Sequence, residues 1–216
     1  RLLSRGLGDV YKRQLKELEI DDNTVIFLCG DNGGKAYFAT EDRPHGFFGP
    51  NFNRETGERF RAGKGSLYEG GLKVPYYVRW PAKVRPGVVS DHLFYYPDVM
   101  PTLAAISGAD CPPTDGLSIL PTLTGQGEQE QHDYLYWEYV GQTAVREGNW
   151  KAYRGKKGDW ELYDLSSEVE ELDNVAGDHP DVLNRLIALA KEAHEPIQPG
   201  EINDRELTDK DLSLIH

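Results

Sequence analysis

The sequence predicts an α/β unit over residues 15–128 and a small α+β unit over residues 129–196. In the first unit, strand-like, loop-like and helix-like segments alternate along the chain, which is the pattern of α/β proteins. Short aromatic segments separated by hairpin-type turns begin near residue 132 and indicate an antiparallel sheet. An amphipathic segment over residues 180–193 carries Pro180 in its first turn, which indicates a helix on one face of that sheet.

The elements of the α/β unit follow from apolar runs and from glycine and proline punctuation. Residues 15–19 are predicted to end a helix, and the apolar residues 24–29 to form a buried strand. Residues 72–79 are predicted to form the next strand. Residues 96–107 carry two prolines early and are followed by Gly108, which predicts a helix.

The α+β unit is rich in tyrosine and tryptophan. Its predicted strands cover residues 134–139, 142–146, 150–153 and 160–164. Aromatic stripes of this kind can stack on carbohydrate, but they more often form cross-strand pairs and pack under a helix. An exposed Trp137 or Trp160 would favour the carbohydrate interpretation.

Polar residues and glycines directly follow the first predicted strand, in the order Gly30-Asp31-Asn32-Gly33-Gly34. A carboxylate and a carboxamide there place two hard oxygen donors at the edge where open α/β sheets bind ligands. The same residues are also ordinary turn formers, because Asp and Asn bond their own backbone and glycine adopts positive φ. On these residues alone, a turn and a metal site both stay open.

A second glycine-rich segment carries one cation, in Gly63-Lys64-Gly65-Ser66-Leu67-Tyr68-Glu69-Gly70-Gly71-Leu72-Lys73-Val74-Pro75. Two further motifs follow it, Tyr95-Tyr96-Pro97-Asp98-Val99-Met100-Pro101-Thr102-Leu103 and Asp115-Gly116-Leu117-Ser118. In this order, and with the Asp-Asn strand before them, these segments closely resemble the arylsulfatase family. The resemblance covers about residues 15–195 and implies the carboxyl-terminal part of an alkaline-phosphatase-like α/β sandwich.

The resemblance implies a role for three residues. Asp31 and Asn32 match two ligands of a single calcium ion, and Lys64 matches the lysine that lies against the sulfate group. A cation and an ammonium at the sulfuryl oxygens would stabilise the charge that develops during attack at sulfur. Glu69, with the two glycines after it, matches a structural turn and is interpreted as scaffold.

Lys73 departs from the family pattern, because sulfatases commonly carry arginine at this position. Arginine can make two parallel bonds to a carboxylate, whereas lysine is a point charge. Local support for the loop is therefore expected to be weaker or different.

The family's nucleophile is a formylglycine made from the first residue of a Cys/Ser-x-Pro/Ala-x-Arg motif, and this motif does not occur in the sequence. The paired aspartates that complete the calcium site and the assisting histidines are also missing. Two ligands are too few for a cation that takes six to eight oxygens. The chain is therefore interpreted as a fragment that is inactive without an amino-terminal half.

The termini support the fragment interpretation. Residues 1–14 and the last residues of the tail over 197–216 resemble translated adaptor sequence rather than native protein. The family resemblance favours a periplasmic or secreted location.

The long polar segment over residues 35–61 is expected to lie beside the sulfate pocket, because loops of this length are usually functional or disordered. Arg43 and His45 are candidate substrate contacts, suited to hydroxyl or carboxylate groups of a sugar. Phe47 and Phe48 could form an apolar wall. The alternative is that the aromatic rings hold the loop on the core while the polar groups face water.

The formal net charge of −12 argues against nucleic acid as a partner, since a phosphate backbone requires a clustered basic surface. No apolar run approaches the length of a membrane span. The two cysteines, Cys29 and Cys111, are expected to be free, buried thiols.

Two interpretations of the function remain open. The first is part of a calcium-dependent sulfatase that acts on a sulfated carbohydrate or an aryl sulfate. The second is a noncatalytic module that binds calcium or a glycan. A phosphodiesterase of the same superfamily is disfavoured, because those enzymes commonly carry Asp-His where this chain has Asp31-Asn32.

Overall fold

The computed structural model of the protein describes residues 7–34 and 56–196. Its elements in chain order are α1 (Leu7–Glu17), β1 (Ile26–Cys29), α2 (Glu69–Leu72), β2 (Tyr76–Arg79), a 3₁₀ turn (Tyr96–Asp98), α3 (Val99–Ser107), α4 (Leu120–Thr124), β3 (Leu135–Tyr139), β4 (Gln142–Glu147), β5 (Trp150–Arg154), β6 (Trp160–Asp164) and α5 (Pro180–Ala193). Within the described ranges, no helix is both long and apolar enough to cross a bilayer.

The first sheet is an antiparallel pair of β1 and β2, with Ile26 opposite Arg79 and Cys29 opposite Tyr76. The expectation of a strand over residues 72–79 is wrong at its amino-terminal end. The Lys73 amide donates to the Glu69 carbonyl at 2.8 Å, so these residues close a helical turn and cannot pair in the sheet.

The prediction that β1 is buried is also wrong. Leu28 and Tyr77 face each other across the ladder and are 64% and 57% exposed. Because paired residues of an antiparallel ladder share one face, the exposure of both side chains shows that the described residues leave this face largely uncovered. Cys29 and Cys111 are free, as predicted, but both are exposed rather than buried.

The predicted helix after Tyr95 begins as a 3₁₀ turn and continues as α3, which ends at Gly108 with a φ of +72°. Buried Asp98 holds this start, because its carboxylate accepts the Tyr95 and Leu117 amides at 3.0 and 2.8 Å. It also lies 2.8 Å from Nε2 of His132. One carboxylate thus joins α3 to two later segments.

The second sheet has four antiparallel strands in the order β3-β4-β5-β6, and its strands and α5 confirm the elements predicted for the α+β unit. The side chains of one sheet face pack against α5. The buried residues of this core are Val145, Ala152, Leu162, Val182, Leu186 and Ala190. Partly buried Trp150 and Trp160 pack at its edge.

The opposite sheet face packs against the loop that precedes α2. Tyr68 of this loop lies with its ring centroid 4.0 Å from that of Tyr153 and 6.3 Å from that of Tyr163. Trp137 is half-buried against the same cluster. These contacts confirm the packing interpretation of the aromatic residues, and neither Trp137 nor Trp160 is exposed.

Asp21 and Arg79 form an ion pair that joins the turn after α1 to β2. Nη1 and Nη2 of Arg79 donate to the two Asp21 carboxylate oxygens at 2.9 and 2.7 Å, and these hydrogen bonds lower the pKa of Asp21. Because the folded pKa lies below the unfolded pKa, the pair stabilises the fold at neutral pH and loses its effect as the pH falls through the folded pKa.

We therefore expect Asp21→Asn to lower the urea midpoint at neutral pH. The difference in urea midpoint between the variant and the parent chain should become smaller in acid. The exposed Asp159→Asn is the matched control and should leave the midpoint unchanged. If Asp21→Asn lowered the midpoint equally at every pH, the stabilisation would not come from the ionised Asp21 carboxylate.

Candidate functional site

The antiparallel ladder brings the two predicted site segments together. Where β1 ends, the Gly30 amide donates to Pro75 at 3.2 Å, and the Gly33 amide donates to Gly71 at 2.9 Å. The Lys64 amide then donates to Gly34 at 3.0 Å. In an antiparallel pair the end of one strand lies beside the start of the other. The residues after β1 therefore adjoin the loop before β2. No parallel pair of strands is needed to bring the two segments together.

Glycines allow the segment after β1 and the loop before β2 to approach closely, and we call this contact the glycine junction. A β-carbon on Gly33 would lie 1.6 Å from the Gly70 carbonyl oxygen, and one on Gly70 would lie 2.2 Å from the Arg61 oxygen. One on Gly71 would lie 2.0 Å from the Ser66 oxygen. Backbone therefore packs directly on backbone, which only glycine allows. The two short glycine motifs of the sequence are the two halves of one contact.

The predicted site residues lie on this junction with their side chains toward the surface. Asp31 and Lys64 are exposed, and Asn32 is half-buried. The Lys64 backbone is bonded to Gly34, two positions after Asn32, while the roles of the three residues stay predictions. Arg43, His45 and the predicted aromatic wall of Phe47 and Phe48 lie outside the described residues.

Sequence reasoning assigned no role to Tyr96, which reaches the same strand end. Its hydroxyl donates to the Gly30 carbonyl and lies 3.4 Å from Sγ of Cys29. Burial, together with Cys29 and the negative charge of Asp31, raises the pKa of Tyr96 to about 12. The phenol is therefore neutral at physiological pH and acts as a hydrogen-bond donor beside the Asp31 motif.

Gln142 at the start of strand β4 forms hydrogen bonds with the backbone of the Lys64 loop. Its amide nitrogen donates to the Gly65 carbonyl at 3.0 Å, and its amide oxygen accepts the Tyr153 hydroxyl at 3.0 Å. The same oxygen lies 3.4 Å from the Leu67 amide nitrogen. The backbone on both sides of Ser66 is thus bonded to one side chain of the second sheet.

Arg61 fixes the beginning of the loop. Its guanidinium donates to the Tyr163 hydroxyl at 2.8 Å and to the Glu171 carbonyl at 2.6 Å, and it stacks 4.0 Å above the Tyr68 ring. The Tyr68 hydroxyl donates to Glu161 at 2.6 Å. Burial, reinforced by that hydrogen bond, raises the pKa of Tyr68 well above its usual range, so this ring also stays neutral.

Glu69 is buried beneath the glycine junction and pairs with two cations. Its carboxylate lies 2.8 Å from Nζ of Lys151 and 3.6 Å from Nη1 of Arg146. Burial alone would raise its pKa, but the two positive charges outweigh burial and lower it. Glu69 is therefore ionised and structural, in agreement with its interpretation as scaffold. Nζ of Lys73, a position where the resemblance implies arginine, lies 4.8 Å from the centroid of the Phe60 ring.

The donor chemistry of Asp31 and Asn32 suits calcium, which prefers carboxylate and amide oxygens. Within residues 7–34 and 56–196, no group of three or more His, Cys, Asp or Glu side chains is arranged to hold a metal ion. These two oxygen donors fit part of a calcium shell. A complete shell would need further oxygen ligands beside these two.

A cavity of about 560 Å³ lies elsewhere, at the ends of α3 and α4. Trp80, Lys83, Ile106, Leu120 and Glu130 are among its lining residues. It contains none of the predicted site residues, so the junction and not this cavity is the candidate site.

Comparison with known proteins identifies the family. Residues 57–195, more than half of the chain, match the family model described as N-sulphoglucosamine sulphohydrolase, C-terminal. The chain belongs to the sulfatase family. The sulfatase chain is 30% identical over 86% of its length to an uncharacterized sulfatase of Schizosaccharomyces pombe, of which it covers 40%. It is 31% identical over 85% of its length to the N-acetylgalactosamine-6-O-sulfatase of Bacteroides thetaiotaomicron, of which it covers 38%.

Solved structures share the fold. The crystal structure of Ps i-CgsB in complex with k-i-k-neocarrahexaose matches 98% of the sulfatase chain with a TM-score of 0.72 and 26% identity. The match covers 45% of that longer chain. The sulfatase chain spans about 40% of the length of the two curated relatives named above. These matches confirm the predicted resemblance and fold class, and members of this family hydrolyse sulfate esters.

Proposed function

We propose that this chain is the carboxyl-terminal part of a calcium-dependent sulfatase that hydrolyses esters of sulfated carbohydrates or aryl alcohols. The observation that carries the proposal is the glycine junction, where the Lys64 amide bonds to Gly34 beside the Asp31-Asn32 motif. A carboxylate, a carboxamide and an ammonium on adjoining backbones suit an anion pocket that contains a metal ion. The sulfatase family membership supports the same reaction class.

In this proposal Lys64 binds the sulfuryl group and stabilises its developing charge. Attack at sulfur adds negative charge to the sulfuryl oxygens, and a preorganised ammonium lowers the energy of that state. Asp31 and Asn32 would hold calcium, which supplies further positive charge when it is bound. The contacts of Gln142 and Arg61 keep the Lys64 loop in place, so little reorganisation is needed during the reaction.

The remaining catalytic groups would come from an amino-terminal part of the same protein. The 216 residues contain no formylglycine motif, and two metal ligands do not complete a calcium shell. The exposed apolar pair Leu28 and Tyr77 supports this proposal, because it leaves a sheet face for such a part to cover. We therefore expect the chain alone to be inactive on sulfate esters.

A carbohydrate substrate is the favoured choice within this proposal. One relative is named for 6-O-sulfated N-acetylgalactosamine, and a structural neighbour was solved with a neocarrahexaose. Sulfated sugars carry hydroxyl or carboxylate groups that Arg43 and His45 would suit.

The test is sulfate release by the full-length protein that contains this chain, assayed on 4-nitrophenyl sulfate and on 6-O-sulfated N-acetylgalactosamine. We expect activity that EDTA removes and calcium restores. Asp31→Ala should raise the calcium concentration needed for half-maximal activity by at least about tenfold, because it removes a charged ligand. The exposed Asp159→Ala is the control and should leave the calcium requirement unchanged.

Two outcomes would contradict the proposal. Faster turnover of bis(4-nitrophenyl) phosphate than of any sulfate ester would favour the phosphodiesterase alternative. Calcium or glycan binding by a full-length protein that releases no sulfate would favour the noncatalytic module.

A further inference from the structure

A buried cluster of charges lies under the glycine junction and joins it to the second sheet. Nζ of Lys151 on β5 is 2.8 Å from Oε1 of Glu69 and 2.8 Å from Oε1 of Glu171. The Lys151 and Glu171 side chains are 0% exposed, and that of Glu69 is 6% exposed. Arg146 on β4 approaches the other Glu69 oxygen at 3.6 Å. Two cations and two carboxylates therefore form a cluster in which only the Arg146 side chain, 19% exposed, reaches solvent to any extent.

Glu171 bonds to the loop backbone as well as to the lysine. Its Oε2 accepts the Glu69 amide at 2.6 Å, and its carbonyl oxygen accepts the Arg61 guanidinium. Its backbone has a φ of +54°, a left-handed conformation that is unfavourable for a non-glycine residue. Burial raises the pKa of Glu171, and the positive charge of Lys151 offsets this only in part. The strained backbone and the buried carboxylate of Glu171 are held in place because Lys151 and the loop both bind the carboxylate.

The cluster is connected to the candidate site through the α2 backbone. Glu69 is the first residue of α2, and the next two residues are the glycines that contact Gly33. A shift of the Glu69 backbone would move Gly70 against Gly33, and with it the hydrogen bond from Gly33 to Gly71. Lys151 lies 82 positions after Glu69, so this restraint comes from the other unit of the chain.

We infer that Lys151 is a positioning residue, whose ammonium, held between Glu69 and Glu171, fixes the Lys64 loop against the strand end that carries Asp31 and Asn32. Its catalytic meaning rests on the proposed function, while its effect on the loop does not. The second sheet thereby acts as the support of the site.

Hydrogen exchange on the present chain tests this inference without any activity assay. The first variant is Lys151→Met, which keeps most of the length of the side chain and removes the charge. Because Lys151→Met leaves two buried carboxylates with one cation fewer, the double variant Lys151→Met/Glu171→Gln is measured beside it. The double variant removes one charge of each sign, and the glutamine oxygen can still accept the Glu69 amide. Lys157→Met, in the exposed turn before β6, is the control.

We expect the loop amides of Gly33, Lys64, Gly70 and Gly71 to exchange at least about tenfold faster in the double variant, with the amides of α5 unchanged. The control should match the parent chain throughout. Equal acceleration in α5 and the loop would make Lys151 a general stability residue and overturn the inference. Unchanged loop exchange in a folded double variant would overturn it as well.

Kinetics of the full-length sulfatase separate this inference from the proposed function. The double variant should lower kcat on 4-nitrophenyl sulfate about tenfold in the parent background, and have no further effect when Lys64 is already alanine. If the double variant still lowered kcat about tenfold in the Lys64→Ala background, Lys151 would not act through Lys64 and the inference would be overturned. A loosened loop with unchanged kcat would instead overturn the catalytic role of Lys64 and leave the structural restraint standing.

Discussion

Replacement of Lys64 by alanine in the full-length sulfatase is expected to lower kcat for 4-nitrophenyl sulfate by about 10²–10³, the usual cost of removing one donor aimed at developing charge. The side chain is exposed and its backbone bond to Gly34 is kept, so folding should be unaffected. The urea midpoint should therefore match that of the parent protein. KM should change less than kcat, because the ammonium acts mainly on charge that appears in the transition state.

The control for this experiment is Lys157→Ala, which removes an exposed lysine from the turn before β6. Its kcat and KM should equal those of the parent protein. A Lys64→Ala enzyme that retains near-normal kcat at saturating calcium would refute the assignment of Lys64.

Substitution of Gly33 by alanine is expected to damage both folding and activity. The new methyl group would lie 1.6 Å from the Gly70 oxygen and 2.8 Å from the Gly71 α-carbon, which are backbone atoms that cannot turn away. Overpacking of this kind costs about 3 kcal/mol at the upper end of its usual range. We expect a lower urea midpoint, faster exchange of the Lys64 and Gly71 amides, and almost complete loss of turnover in the full-length sulfatase.

Gly30→Ala is the matched control, three positions earlier in the same segment. Its β-carbon would meet the Val74 side chain at 3.4 Å, which is close to an ordinary contact. Stability and kcat should stay near those of the parent protein. A Gly33→Ala protein as stable and active as Gly30→Ala would show that the junction does not hold the site.

The two substitutions separate chemistry from geometry at one site. Lys64→Ala removes a charge and leaves the backbone contacts, whereas Gly33→Ala leaves every charged group and moves the backbone. If both lower kcat but only Gly33→Ala changes hydrogen exchange, the ammonium and its support are distinct requirements. Loss of loop protection in Lys64→Ala would instead indicate that the lysine itself stabilises the loop.

Much of the architecture could be predicted because it depends on short-range patterns. Strands β3 to β6 are short segments rich in aromatic residues, and glycine-containing turns separate them. The apolar residues of α5 recur at helical spacing. The junction segments were also recognisable, because Asp31-Asn32 and the Lys64 loop each carry their signature within a few positions. The two segments meet where the backbone at Gly33 packs on the backbone at Gly70 and Gly71.

Other features could not be predicted from local sequence. The apolar run of β1 predicted burial, yet Leu28 is exposed because burial depends on whether another layer covers that face. The start of β2 at Tyr76 was missed, since the glycine contacts of α2 compete with strand formation. Tyr96 was part of a recognised motif, but nothing in the motif indicated that its hydroxyl would reach Gly30.

Residue order along the chain was thus sufficient for the family, for most elements and for the two segments that carry Asp31 and Lys64, because those signals lie within a few neighbouring positions. The antiparallel pairing of β1 with β2 and the enclosure of Lys151 between Glu69 and Glu171 were decided by the folded molecule. Each joins groups that are far apart in the chain, and whether a buried charge is stable depends on the partners that packing places around it.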